Sequence, residues 1–223
     1  MKISVLQFPG TNCEYDAKYA FEQLGCVVEI IWHKEKEIPS DTDLLVIPGG
    51  FSYGDYLRSG AIARFANIME SVQTYAANGG KVLGICNGFQ ILLEAGLLPG
   101  AMKRNDSLHF ISKYHTLKVI NTDNKFLSLM KRDEIVNIPV AHHDGNYYID
   151  ANGLKELEDN NQILLKYCDK DGNLVNMNGS ISNIAGICNK QKNVFGLMPH
   201  PERAIETILG STDGVNMLKG FLQ

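Results

Sequence analysis

Residues 81–96 have the sequence KVLGICNGFQILLEAG, in which a short apolar run passes directly into a helical pattern. The run over 81–86 is typical of a strand that helices cover on both faces, and the pattern over 87–96 predicts a helix. The motif G-x-C-x-G lies at their junction and is centred on Cys86. This is the spacing of a nucleophile elbow, with a thiol in place of the usual hydroxyl.

The elbow spacing has a steric and an electrostatic reason. Glycine is needed at Gly84 and Gly88 because a side chain at either position would strike the neighbouring strand or helix. The N-terminus of the helix lies beneath the sulfur of Cys86, and its partial positive charge favours the thiolate, which is the attacking species. We therefore interpret Cys86 as the candidate nucleophile.

Strands and helices alternate along the first hundred residues. Apolar runs at 2–8, 26–32 and 43–48 predict further strands, and amphipathic patterns predict helices over 13–24 and 60–78. Such alternation implies right-handed crossovers between parallel strands. We expect an open, mostly parallel α/β sheet flanked by helices, of the flavodoxin-like type.

The pattern changes from about residue 105 onward, where short strands are separated by Asp-Gly and Asn-Gly turns. Turns of this kind favour hairpins. We therefore expect an antiparallel β extension of the sheet, within a single domain that spans residues 1–223. The predicted strands are 116–120, 135–141, 163–168, 184–188 and 194–199, and the predicted closing helix is 213–222.

The composition excludes several classes of protein. The chain has 21 Lys plus Arg and 25 Asp plus Glu, a net charge of −4, and so lacks the basic excess of a nucleic-acid-binding face. No stretch approaches the roughly 18 apolar residues of a membrane-spanning helix, and the N-terminus does not resemble a secretory signal. Five cysteines without a C-x-x-C pair favour neither a disulfide framework nor a structural zinc site. We expect a soluble, cytoplasmic protein with no metal, nucleic-acid or membrane partner.

Ligands of an open parallel sheet bind beyond the carboxyl ends of its strands. The loop at 9–13 follows the first strand, the loop at 48–55 follows the third, and the elbow follows the fourth. If the run at 194–199 rejoins the sheet in parallel, the sequence PHPE at 199–202 reaches the same edge. A thiol, an imidazole, a carboxylate and a glycine-rich backbone then converge there.

The sequence PHPE supplies the remaining catalytic groups. Pro199 and Pro201 keep the segment extended, since a residue before proline avoids the helical region. His200 and Glu202 then lie on one face, and the carboxylate can orient the imidazole as the acid of a catalytic triad does. We therefore pair the thiol of Cys86 with His200 and Glu202.

The loop at 48–50 offers backbone N–H groups that can approach a developing oxyanion. The obvious pair is the N–H of Gly50 with that of Asn87, directly after the nucleophile. The loop does not match the phosphate-binding pattern G-x-x-x-x-G-K-[ST], so that any ATP-driven step must occur on another chain.

Two alternatives concern other residues. Cys13 also lies near a predicted helix start, which makes it a rival nucleophile, but it lacks the glycine elbow. His142 and His143 precede Asp144 and suggest a metal site, but no third ligand appears at a useful spacing. A solvated loop, or one that contacts a partner, is the better interpretation of these histidines.

Taken together, these motifs resemble those of class I, or triad-type, glutamine amidotransferases, and the resemblance covers essentially the whole chain. The motifs are PGG at 48–50, LGICNGFQ at 83–90 and PHPE at 199–202. Further segments are similar to the branch of this family that serves purine biosynthesis, and of these 49–63 is the most specific. They are 8–16, 49–63, 141–147 and 196–203.

The resemblance implies that the chain hydrolyses L-glutamine to glutamate and ammonia, with Cys86 as nucleophile, His200 as base and then acid, and Glu202 as its orienter. It implies that ammonia passes to a synthetase subunit, that a small third subunit completes the complex, and that ATP and Mg bind only to the synthetase. No cofactor is expected in this chain. The implied substrate-binding residues are Gly49, Ser52, Gln90, Asn105 and Ser107, and the implied partner loop contains His142 and His143.

Two other functions remain open at this stage. A stand-alone thiol hydrolase or peptidase on a related scaffold shares the elbow, but it would turn over without a partner. A non-catalytic binding module would keep the sheet and lose the chemistry, and the intact cysteine, histidine and glutamate disfavour it.

Overall fold

The computed structural model describes all of residues 1–223 and contains eleven strands and five α-helices. The strands are β1 (Lys2–Gln7), β2 (Val27–Trp32), β3 (Leu44–Ile47), β4 (Lys81–Ile85), β5 (Ala101–Lys103), β6 (Ile111–Val119), β7 (Ile135–His142), β8 (Asn146–Tyr148), β9 (Ile163–Tyr167), β10 (Ile184–Cys188) and β11 (Val194–Leu197). The helices are α1 (Glu14–Gln23), α2 (Ile68–Ala77), α3 (Asn87–Glu94), α4 (Ala151–Asp159) and α5 (Gly214–Lys219).

Nine of the strands form one sheet in the order β2-β1-β3-β4-β11-β10-β9-β6-β7. The first five strands in this order are parallel, and β11 pairs with β4 so that Leu197 lies opposite Ile85. The condition on which the predicted site depends is therefore met, because β11 ends beside the elbow. The predicted class, an open and mostly parallel α/β sheet, is confirmed.

The second half of the sheet is antiparallel, as the turn signals predict, since β10, β9, β6 and β7 pair in that sense. Strand β6 begins at Ile111 and is longer than the predicted 116–120. The separate two-stranded sheet of β5 and β8 and the helix α4 are not predicted. Strands of three residues are too short to show a period, and the apolar side of α4 consists of little more than Leu154 and Leu157.

The prediction of one continuous helix over 60–78 is wrong. Residues Ala63–Phe65 form a 3₁₀ turn, Ala66 is extended, and α2 begins only at Ile68. Gly60 has a φ of +79°, and a Cβ there would lie 2.8 Å from the backbone of Gln90. The chain therefore packs closely against α3 at this point instead of coiling.

The core surrounds the parallel strands. Leu44–Ile47 of β3 are completely buried, as expected for a strand that is covered on both faces. The rings of Phe126, Phe195 and Phe221 pack against one another, with centroids 5.3–6.1 Å apart. No helix in the structure has the length and apolar content needed to cross a membrane.

Candidate functional site: a thiol at a strand–helix elbow

Cys86 occupies a strained turn between β4 and α3. Its φ of +50° and ψ of −106° are unusual for a residue with a side chain, and such a conformation costs about 1–3 kcal/mol. A Cβ on Gly84 would lie 2.8 Å from the backbone of Gly88, and a Cβ on Gly88 would overlap the carbonyl oxygen of Ile47. The predicted steric need for both glycines is confirmed. The N–H of Cys86 donates to the carbonyl of Leu197 at 2.8 Å, which ties the elbow to the end of β11.

His200 and Glu202 form a buried pair. The Nδ1 of His200 lies 2.6 Å from Oε1 of Glu202, and the two side chains are 2% and 0% exposed. Residues Pro201–Arg203 form a 3₁₀ turn, so the prediction of an extended segment is wrong there. This turn brings the carboxylate of Glu202 next to the imidazole of His200. The N–H of His200 donates to the carbonyl of Pro139 at 2.8 Å and anchors the pair on β7.

The imidazole and the thiol meet at Gly49. A Cβ built on Gly49 would lie 2.7 Å from Cε1 of His200 and 3.4 Å from Cβ of Cys86, so only a glycine leaves room for the two side chains. Burial opposes the imidazolium, but the Glu202 carboxylate and the Cys86 side chain outweigh it and raise the pKa of His200 to about 10. The Nε2 of His200 is buried and has no hydrogen-bond partner. The arrangement favours a charged imidazole beside the sulfur.

The predicted oxyanion donors belong to Gly50, which lines the same cavity as Cys86, and to Asn87, which directly follows it. Gly50 has a φ of +148°, and a Cβ there would lie 2.7 Å from Cα of Thr11, so that glycine is required. The N–H of Gly50 donates to no backbone acceptor, whereas that of Phe51 donates to the carbonyl of Gly10 at 3.0 Å. The N–H of Asn87 is in the first turn of α3, where helical N–H groups have no acceptor within the helix.

Cys13, the rival nucleophile, is buried beside the same site. Its sulfur accepts a hydrogen bond from Nη2 of Arg203 at 2.9 Å and donates to Oδ1 of Asn12 at 3.1 Å. Burial raises the pKa of the Cys13 thiol, with a further contribution from the Glu202 carboxylate, which keeps the thiol protonated. Cys13 also has no strained turn to present it, so the structure favours Cys86.

Three of these side chains are close enough to share a metal ion. Ligand atoms of Cys13, His200 and Glu202 all lie within 4.8 Å of one another. The imidazole and the carboxylate are, however, already bonded to each other, and the guanidinium of Arg203 adds a positive charge at the Cys13 sulfur. The His200–Glu202 pair therefore fits part of a catalytic triad better than a cation site.

Residues 1–215 match the model of the family described as the CobB/CobQ-like glutamine amidotransferase domain. The chain belongs to this family. It is 70% identical to the phosphoribosylformylglycinamidine synthase subunit PurQ of Sulfurimonas denitrificans over 100% of both chains. It is 58% identical to the subunit of the same name from Campylobacter jejuni, over 100% of this chain and 96% of that one.

Solved structures agree with the family assignment. A chain in the structure of PurLQS from Thermotoga maritima has a TM-score of 0.89 and 39% identity, over 99% of this chain and 97% of that one. The glutaminase domain of Trypanosoma brucei CTPS, solved with bound acivicin, has a TM-score of 0.61 at 13% identity, over 100% of this chain and 94% of that one. The second similarity concerns the fold alone.

In this amidotransferase the thiol of Cys86 opens into a cavity of about 170 Å³. Sequence reasoning missed four polar residues that line it, namely Asp55, Ser59, Arg104 and Asp144. Burial, and then the charge of Asp144, raises the pKa of Asp55 to about 6. The sequence places Asp55 in the loop that follows the third strand and Asp144 beside the two histidines, and Asp55, Ser59 and Asp144 fall within the segments 49–63 and 141–147 that resemble the family. It gives no signal for Arg104.

The predicted substrate residues Ser52 and Gln90 are part of an internal network. Oδ1 of Asn87 accepts from the N–H of Ser52 at 3.0 Å, and its Nδ2 donates to Oε1 of Gln90 at 2.9 Å. The Nε2 of Gln90 donates to the carbonyl of Asp144 at 2.6 Å. Gln90 lines the cavity, but both polar atoms of its amide are already hydrogen-bonded within the protein. Ser52 is buried and does not line the cavity.

Asn105 and Ser107 do not line the cavity of the amidotransferase. Asn105 is completely buried, its Oδ1 accepts from the N–H of Gly145 at 3.1 Å, and its Nδ2 donates to the carbonyl of His142 at 2.9 Å. Ser107 is exposed, and its hydroxyl accepts from the N–H of His109 at 3.3 Å. The side chain of Asn105 instead holds together the two loops beside the site.

The predicted partner loop is corrected for His142. His142 is 3% exposed and lines the cavity, whereas the side chain of His143 is 40% exposed and lies 2.9 Å from Oδ1 of Asp144. Burial, and then the neighbouring His200, lowers the pKa of His142 to about 4, so that its imidazole is neutral at pH 7. A residue buried in this way cannot lie on a docking surface.

Proposed function

We propose that this chain is the glutaminase subunit of a phosphoribosylformylglycinamidine synthase. The observation that carries the proposal is the buried His200–Glu202 pair that flanks, across Gly49, a thiol on a strained elbow. The full-length identity of 70% with a subunit of that enzyme supports the choice of the synthase. We also propose Cys86, His200 and Glu202 as its catalytic residues.

The chemistry follows from these positions. The Cys86 thiolate attacks the side-chain amide carbon of glutamine, and the N–H groups of Gly50 and Asn87 stabilise the oxyanion. The tetrahedral intermediate collapses when the His200 imidazolium gives its proton to the leaving nitrogen, and ammonia departs. The neutral imidazole then takes a proton from water, which attacks the thioester carbonyl and releases glutamate. Glu202 keeps the imidazole oriented through both half-reactions.

Ammonia reacts as a nucleophile only when it is unprotonated, so the product is best used on a neighbouring chain. We propose that it passes to a synthetase subunit, which uses ATP and Mg to convert formylglycinamide ribonucleotide to the amidine, with a small third subunit in the complex. The similarity to a chain of PurLQS supports such an assembly. We also propose that this chain needs no cofactor of its own, because the proposed hydrolysis uses only a thiol, an imidazole and a carboxylate. The proposed role in purine synthesis supports a cytoplasmic location.

A diazoketone analogue of glutamine should alkylate Cys86 and leave Cys13 unmodified. Cys86 faces the cavity beside a charged imidazole, whereas burial raises the pKa of Cys13 and keeps it protonated. Peptide mapping by mass spectrometry locates the adduct, and Cys86→Ala serves as the unlabelled control. An adduct on Cys13 in the native chain would reverse the assignment of the nucleophile.

A further inference from the structure

The cavity beside Cys86 carries two carboxylates that the mechanism above does not use. Asp55 and Asp144 both line it, and no lysine or arginine forms an ion pair with either. The hydroxyl of Ser59 donates to Oδ2 of Asp144 at 3.0 Å, and Nδ2 of Asn87 lies 3.4 Å from Oδ1 of Asp55. Two half-buried acids that share a small cavity favour a positively charged ligand group.

His142 lines the same cavity and carries a third acceptor, whose hydrogen-bonding state follows from its neighbours. The Nδ2 of Asn105 donates to the carbonyls of His109 and His142, so its Oδ1 is the atom that faces Nδ1 of His142, at 3.1 Å. That nitrogen of His142 must therefore carry the proton. The Nε2 of the neutral ring is left as an acceptor, and it is buried without a partner.

We infer that Asp55, Asp144 and the Nε2 of His142 bind the α-ammonium group of glutamine. An ammonium group has three N–H donors and one positive charge, which the two carboxylates and the imidazole nitrogen would satisfy. Arg104 lines the same cavity and offers the positive charge that an α-carboxylate requires. The inference rests on the proposed glutaminase function and names the groups that select an α-amino acid over a simple amide.

The position of this acidic subsite relative to the thiol is set by the network around Gln90. The Nε2 of Gln90 donates to the backbone carbonyl of Asp144. The Oε1 of Gln90 accepts from the side chain of Asn87, which directly follows Cys86. The helix that carries the nucleophile is thereby bonded to the loop that carries the acid. A substrate whose α-ammonium sits at Asp144 would be presented at a constant distance from the sulfur.

The test compares L-glutamine with glutaramate, which has the same amide and carboxylate but no α-ammonium group. In the assembled complex, Asp144→Asn and Asp55→Asn should each lower kcat/KM for glutamine by about 100-fold, because the α-ammonium group of the substrate loses one of its charged partners. The kcat/KM for glutaramate, which cannot use the subsite, should change by no more than about twofold. The exposed variant Asp159→Asn should leave both substrates unaffected, because Asp159 lies on α4 away from the cavity.

The outcomes separate the subsite from the proposed function. An equal loss for both substrates, or no loss for either, would overturn the inference, whereas a native complex that hydrolyses neither substrate would overturn the glutaminase proposal itself. The rate at which iodoacetamide alkylates Cys86 provides the folding control, since this reagent carries no ammonium group. That rate should match the native rate in both aspartate variants. If the alkylation rate is native but kcat/KM falls equally for glutamine and glutaramate, the subsite is contradicted.

Discussion

Replacing Cys86 by serine should abolish glutamine-dependent synthesis by the reconstituted complex and leave ammonium-dependent synthesis intact. The substitution keeps the size of the side chain approximately but exchanges an ionisable thiol for a hydroxyl that does not form an anion near pH 7. We expect at least about a 10³-fold loss of the glutamine reaction, as for other nucleophile replacements. The amount of amidine formed from glutamine and from ammonium chloride measures the two activities separately.

The matched control is Cys26→Ser, which changes a buried cysteine directly before the edge strand β2, three strands away from β4 and the elbow. This variant should retain both activities. If Cys86→Ser instead loses the ammonium reaction as well, the cysteine supports folding or assembly and the sulfur has no proven part in the chemistry.

Replacing Gly88 by alanine should strongly destabilise the fold, against what helix propensity alone predicts. Gly88 is in α3, where alanine would ordinarily gain about 1 kcal/mol over glycine. A Cβ there would, however, overlap the carbonyl oxygen of Ile47 in β3, and neither backbone can move without disturbing the elbow. We expect a loss of at least about 3 kcal/mol in the free energy of unfolding, measured by urea titration.

Gly96→Ala is the appropriate comparison for Gly88→Ala. Gly96 has a φ of +72°, but a Cβ there would meet nothing within 4 Å, so the change tests backbone strain without a clash. It should cost only about 1 kcal/mol. A Gly88→Ala protein as stable as the native one would show that the close packing of α3 on β3 is not required for the elbow.

Sequence periodicity predicted the parallel half of the sheet, and the G-x-C-x-G motif predicted the sharp turn that carries Cys86. Strands such as β3 and β4 are continuous apolar runs because both of their faces are buried, and the elbow has a local motif with a steric cause. The convergence of Cys86 with His200 required only that β11 join β4 in parallel. These features are determined by interactions that lie close in sequence or follow from sheet topology.

The residues that line the cavity could not be predicted in the same way. Asn105 and Gln90 are polar residues near the site, and only tertiary contacts determine that their amides are used internally. Asp55 lies in a loop that contains non-glycine residues with positive φ, a conformation that no local rule assigns. The direction of a polar side chain in a loop depends on partners that are distant in the sequence, such as Asp144 opposite Asp55.

The most direct test of the account is to trap the acyl-enzyme. The assembled complex is mixed with glutamine and quenched in acid within the first turnover, and the peptide that carries Cys86 is analysed by mass spectrometry. We predict that this peptide gains the mass of one γ-glutamyl group, that the gain is reversed by hydroxylamine, and that it is absent in Cys86→Ser. Release of glutamate with no adduct on Cys86, or with the adduct on Cys13, would contradict the central claim.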